Sequence, residues 1–149
     1  MTFSRLLASG FGAGYAPAAP GTAGSLVGLL IGAVLVLALG HVALVVGILV
    51  FSLLGVWSIS ALGEGRADPG WIVIDEIAGQ MIPLLVLPHV TFAGLVLAFI
   101  AFRFFDITKL GPIAWADARH DAWGVMGDDW LAGIAAAIVL LLIRMVFPL

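Results

Sequence analysis

The chain has no cysteine. That excludes a disulfide framework, a thiolate zinc site and a cysteine nucleophile. It also has little charge. Only 10% of its 149 residues are Asp, Glu, Lys or Arg, against about 25% in ordinary globular chains. Lys and Arg total six and the net charge is −3, so no basic patch is available for nucleic acid. Residues 1–14 hold one Arg and a weak apolar stretch before running into Gly and Pro, which is no cleavable signal peptide. What the chain has instead is apolar surface: 63% of residues, with mean hydropathy +1.23. A soluble domain of this length could not hide so much, so lipid is the expected solvent. Residues 6–63, 77–102 and 130–143 carry no Asp, Glu, Lys or Arg at all.

Cut at Gly, Pro, His and charge, the chain yields five apolar blocks: residues 25–39, 42–62, 72–87, 91–108 and 130–147. As helices rising about 1.5 Å per residue they span roughly 22–32 Å. The first and third are short for a crossing and are either tilted little, broken or only partly inserted. The expectation is an all-α, polytopic membrane helical bundle of four to five transmembrane helices, forming one membrane-embedded domain over residues 1–149. Its Gly/Pro-rich N-terminal segment is either re-entrant or interfacial. Placing the N-terminus in the cytoplasm puts Arg5, Arg66, Arg103, Lys109 and Arg119 on the inner side and leaves only Arg144 outside, a positive-inside pattern. The turns at Gly40-His41 and Pro88-His89 then lie outside, with both His as turn residues. Trp71, Trp115, Trp123 and Trp130 flank the inner face as an aromatic belt.

Six carboxylates sit at or near the ends of the apolar blocks: Asp75, Glu76, Asp106, Asp117, Asp128 and Asp129. Ionisable groups beside hydrocarbon are costly and mark function. The predicted topology brings Asp75 and Glu76, then Arg103 and Asp106, then Asp128 and Asp129, to one depth. Asp75 and Glu76 read either as metal ligands or as helix N-terminal charges favoured by the macrodipole. Gln80 shares a helix face with Glu76. Arg103 and Asp106, three apart, read as a salt bridge hidden from lipid or as a phosphate clamp beside a metal ligand. Lys109 extends that face. One of Asp128 and Asp129 could serve as a helix N-cap, but a cap needs no second Asp. Hard oxygen ligands at several helix ends suit Mg²⁺ rather than zinc. The Gly and Pro of residues 10–25 argue against a continuous helix there, and Thr22 and Ser25, with free backbone N–H groups at the start of the first span, could cradle an anion.

These residues resemble a family. Gly14-Tyr15-Ala16-Pro17-Ala18-Ala19-Pro20-Gly21-Thr22-Ala23-Gly24-Ser25-Leu26 is similar to the N-terminal signature of phosphatidylglycerophosphatase A, a bacterial membrane lipid phosphatase. Asp75-Glu76-Ile77-Ala78-Gly79-Gln80 resembles its second signature. Phe102-Arg103-Phe104-Phe105-Asp106-Ile107-Thr108-Lys109 resembles the third, and Gly124-Val125-Met126-Gly127-Asp128-Asp129-Trp130-Leu131-Ala132-Gly133 the fourth. The chain departs from the pattern after Lys109, at Leu110-Gly111-Pro112 and at Ala116-Asp117-Ala118-Arg119-His120-Asp121, so no role is carried onto Asp117, His120 or Asp121.

The resemblance implies Mg²⁺-dependent removal of the terminal phosphate of phosphatidylglycerophosphate, giving phosphatidylglycerol at the cytoplasmic face of the bacterial inner membrane. It implies catalytic roles for Asp75, Glu76, Asp106 and Asp129. Asp75, Glu76, Asp106, Asp128 and Asp129 are the implied metal ligands. Substrate contacts fall to Thr22, Ser25, Arg103 and Lys109. The nucleophile is either a metal-activated water or an Asp that forms a phospho-enzyme, and the absence of a haloacid-type Asp-x-Asp motif favours water. A Thr22 nucleophile would need an adjacent base that the sequence does not offer.

The rival from another class is an ion- or proton-coupled transporter, but its carboxylates would mark a path through the bilayer rather than one face. A helix-packing subunit would not need three acidic clusters. A CDP-alcohol phosphotransferase would carry an Asp-Gly signature that is missing here.

Overall fold

The computed structural model describes residues 2–63 and 69–147. Arg66, counted above among the inner cations, lies outside the described residues. The described residues form helices and turns with no strand among them: α1 (Phe3–Ala8), α2 (Pro20–Leu39), α3 (His41–Leu62), α4 (Ile74–Met81), α5 (Phe92–Thr108), α6 (Pro112–Asp117) and α7 (Ala122–Arg144). The all-α expectation holds. Three helices, α2, α3 and α7, are long and apolar enough to cross a bilayer. Their outward faces are apolar, as with Leu26, Leu30, Val34 and Leu37 along α2, whereas Asp75, Gln80, Asp106, Asp128 and Asp129 are buried inside. Apolar residues outside and carboxylates inside invert the soluble pattern and suit a lipid surround.

Several boundaries differ from the sequence reading. The helix expected from Ser25 begins at Pro20. Pro is pre-set for the first helical position and gives up an N–H that would be unpaired there anyway, so the Gly/Pro run does not prevent helix from Pro20 onward. The block at 72–87 is broken, one of the forms expected for it. α4 covers eight residues, and a 3-10 turn, Ile82–Val86, follows. Pro83 lacks the N–H that would continue the α-helical ladder. The carbonyls left over at that end are met from other helices: Arg144 donates to Val86 O, and His41 Nε2 lies 2.8 Å from Leu87 O. The last helix begins at Ala122, eight residues before the expected start, because Asp121 caps it, accepting from the Gly124 N–H at 2.7 Å. Asp128 and Asp129 are therefore not caps. They sit about two turns inside α7.

α4 is held by close backbone approach on two sides. A Cβ at Gly28 of α2 would collide with the Ile77 backbone, and one at Gly24 would lie 2.6 Å from Val73 Cβ. On the other side, a Cβ at Gly79 would lie 2.6 Å from the Asp129 carbonyl oxygen, and one at Gly133 would strike Gly79 O. Small residues let helices approach this closely in a membrane, and here they set the α4 acids against those of α7. The N-terminal segment closes the same end. The Val73 N–H donates to Ala8 O at 2.9 Å. Arg5 Nε donates to Tyr15 Oη at 2.9 Å, its guanidinium stands 4.7 Å from the Trp71 ring, and Tyr15 stacks on Trp71.

Candidate active site

Four elements meet at one end of the bundle. α4 opens with Asp75 and Glu76 in its first turn. α7 brings Asp128 and Asp129. α5 ends with Arg103, Asp106 and then Lys109, and α2 begins with Gly21, Thr22 and Ser25. The convergence expected from topology is observed, but the acids divide into two groups.

In the first group, Asp75, Glu76 and Asp129 each present one carboxylate oxygen, all within 4.8 Å of one another. Asp129 is 2% exposed and Asp75 6%. Oxygens bound to one Mg²⁺ at about 2.1 Å lie roughly 3.0–4.2 Å apart, so the three side chains would have to draw together to share a single ion. The donor set is oxygen only, as a hard divalent cation prefers. Glu76 Oε2 and Asp129 Oδ1 are buried with no hydrogen-bond partner among the described residues. An unpaired buried carboxylate oxygen costs on the order of 1–3 kcal/mol or more, and a cation would relieve both. These residues fit the implied metal.

In the second group, Asp106 and Asp128 are engaged by cations. Arg103 pairs with Asp106 and Lys109 with Asp128. Lys109 Nζ also lies 3.4 Å from Asp106 Oδ1 and 3.5 Å from Asp117 Oδ1. Lys109 ends α5 in the left-handed conformation, φ 49°, which costs a non-glycine residue about 1 kcal/mol or more and turns its chain back toward the acids. Burial works against its charge. The carboxylates of Asp129, Asp128 and Asp106 outweigh that and hold the ammonium above the usual lysine range.

The α2 end supplies the remaining wall. Arg103 Nη1 donates to Ser25 Oγ at 3.3 Å, and Ser25 Oγ donates to Gly21 O at 2.8 Å. The expected free N–H groups are not both available. The Thr22 N–H donates to Ala19 O, and Ser25 lies a turn inside the helix. The Thr22 side chain makes no hydrogen bond among the described residues. Gly21, which the sequence reading did not single out, faces the site. A Cβ there would lie 2.5 Å from Glu76 Oε1 and 3.3 Å from Arg103 Nη1. Its signal was the helix start at Pro20. Gly21→Ala is therefore expected to keep or raise the melting temperature, since Ala favours helix over Gly by about 1 kcal/mol. Turnover should fall at least about tenfold as Glu76 and Arg103 are displaced. Melting and phosphate-release assays on one preparation check both.

Other candidates stay apart. Asp121 caps α7 and pairs with Arg119 at 2.7 Å, a hydrogen bond that, with the Gly124 N–H, holds its carboxyl below the usual range. His120 is exposed. Asp117, given no role from sequence, joins through Lys109. Trp130 follows Asp129 and is fixed by its indole N–H, which donates to Ser52 Oγ at 3.0 Å.

Comparison with known proteins shows the family. The family model for phosphatidylglycerophosphatase A matches residues 6–144. A phosphatidylglycerophosphatase A of Haemophilus influenzae is 39% identical over 94% of this chain and 88% of its own length. One from Escherichia coli K12 is 36% identical over 97% of this chain and 86% of its own. A Bacteroides thetaiotaomicron protein, whose name provisionally assigns it phosphatidylinositol-3-phosphatase activity, is 36% identical over 95% of this chain and 93% of its own. No solved structure matches the chain.

Proposed function

The chain belongs to the phosphatidylglycerophosphatase A family, and from that premise we propose how its site works: as a Mg²⁺-dependent phosphatidylglycerophosphate phosphatase at the cytoplasmic face of a bacterial inner membrane. The chain is a phosphoric monoester hydrolase. The observation that carries the finer reading is the three-carboxylate group Asp75, Glu76 and Asp129, which lies beside Arg103 and Lys109 at the end of an apolar bundle. Carboxylates alone would repel a phosphate. A bound Mg²⁺ would neutralise and polarise it. Asp75, Glu76 and Asp129 would hold the ion, and Asp106 and Asp128, paired with Arg103 and Lys109, would offer further oxygens beside it. Arg103 presents its planar fork to the phosphate and Lys109 a point charge. Ser25 steadies the Arg103 guanidinium, and Thr22 lines the approach. Hydrolysis then forms a bond from a water oxygen to phosphorus, breaks the phosphorus–oxygen bond to glycerol, and leaves the alcohol protonated and orthophosphate free.

The lipid's tails stay in the bilayer while its headgroup reaches the polar end. In this reading the N-terminus is cytoplasmic, α5 adds a fourth crossing, α4 with its 3-10 turn inserts part way, and residues 2–19 lie at the interface. The relatives' names share a phosphomonoester on a lipid headgroup, which is the chemistry this site suits. The transporter alternative is not favoured, because the buried acids gather at one end. The test is phosphate release from phosphatidylglycerophosphate by the purified protein in detergent. Release with Mg²⁺ that stops on adding EDTA and returns with excess Mg²⁺ is the expected result. Steady release in EDTA would overturn the metal role, and no release under any condition would overturn the substrate.

A further inference from the structure

Gln80 is fully buried, and both atoms of its carboxamide lack a hydrogen-bond partner among the described residues. Leaving such a group unpaired costs stability, and buried amides are nearly always bonded. It lies one helical turn beyond Glu76 on the same face of α4. Helical side chains lean toward the helix N-terminus, so the carboxamide is directed back toward the level of Glu76 and Asp129. Three more buried atoms without a partner among the described residues belong to side chains of the site: Glu76 Oε2, Asp129 Oδ1 and Arg103 Nε.

These atoms sort by chemistry. Glu76 Oε2 and Asp129 Oδ1 are acceptors, which a cation satisfies. Arg103 Nε is a donor and the Gln80 amide carries two N–H bonds, and no cation satisfies either. They need a ligand rich in acceptors. Arg103 Nη1 donates to Asp106 and Ser25, while Nε is buried without a partner among the described residues. Which amide atom is nitrogen does not affect the count, since each orientation offers one donor end.

We propose that Gln80 contacts the substrate's phosphate group, its amide N–H and Arg103 Nε donating to phosphate oxygens at the floor of the site. This rests on the phosphatase reading and adds to it a neutral donor inside a charged site. A neutral donor binds phosphate without forming an ion pair with the carboxylates beside it, which a Lys or Arg at that position would do.

The test uses the full chain in detergent with Mg²⁺, and orthophosphate as the probe. Melting temperature is followed as phosphate is added, for the wild type and for Gln80→Leu and Gln80→Met. Without phosphate the variants should melt at or above the wild-type temperature, because an unpaired buried amide is replaced by an apolar chain of similar size. The phosphate concentration needed for a given rise in melting temperature should increase at least about tenfold, as for a lost hydrogen bond to a charged group. A variant that binds phosphate like the wild type overturns the proposal, as does a wild type that phosphate does not stabilise. Failure of both variants to fold also overturns it, because the amide is then structural. Release from phosphatidylglycerophosphate is measured separately. A wild type that binds phosphate through Gln80 but does not hydrolyse the lipid sinks the substrate assignment alone.

Discussion

Asp129→Asn is expected to lower turnover by a factor on the order of 10³, about 4 kcal/mol of transition-state stabilisation at 1.36 kcal/mol per decade. The metal-free protein should not become less stable. Asp129 is 2% exposed, its Oδ1 has no partner, and it shares a space of 4.8 Å with Asp75 and Glu76. Three carboxylates at that separation, two of them buried, repel one another. An amide of the same shape removes one charge and part of that repulsion, so the melting temperature in EDTA should stay level or rise. The rise that Mg²⁺ produces in the wild type should shrink sharply in the variant, since binding to the folded state alone is what stabilises it. Melting curves with and without Mg²⁺, together with phosphate release, read both effects. Turnover within tenfold of the wild type would remove Asp129 from the metal site. A large fall in metal-free stability would make it a structural residue.

Much of this site was legible because charge is so rare in the chain. Asp75, Glu76, Arg103, Asp106, Asp128 and Asp129 stand out against apolar blocks, and blocks 42–62 and 91–108 match α3 and α5 to within a residue. The errors arose where local backbone chemistry decided the outcome. Pro20 starts a helix although Pro and Gly dominate its neighbourhood. Asp121 caps α7 from within a polar loop, so the helix begins before its apolar run does. The division of the acids also could not be read from spacing. Asp128 and Asp129 are adjacent, yet Asp128 faces Lys109 while Asp129 faces Asp75 and Glu76. Neighbours on a helix point about 100° apart, and which one meets which partner depends on how α7 is rotated against α4. That rotation is set by Gly79 and Gly133, whose lack of a side chain gives no hydropathy signal.

Gly79→Ala should therefore damage activity far more than stability. Its backbone is helical, so the left-handed freedom of glycine is not needed there. The demand is for space. A Cβ would lie 2.6 Å from the Asp129 carbonyl oxygen and 2.8 Å from the Phe102 ring. A backbone oxygen cannot rotate aside, so α7 must shift by roughly half an ångström or more to restore ordinary contact. Overpacking costs about 1–3 kcal/mol, and the better helix propensity of Ala returns about 1 kcal/mol of that. The net loss of stability should be at most about 2 kcal/mol. Asp129 moves with α7, away from Asp75 and Glu76, and misplacement by about 1 Å costs on the order of 10²-fold in rate. Gly127→Ala is the matched control, because its Cβ would meet only Ala116 Cβ, at 3.7 Å. It should fold at least as well as the wild type and keep its turnover. If Gly79→Ala turned over like that control, the spacing between α4 and α7 would not be what sets the geometry of the acids. If it fell about a hundredfold while still melting cooperatively, the glycine contact would be part of the active site although it carries no chemistry of its own.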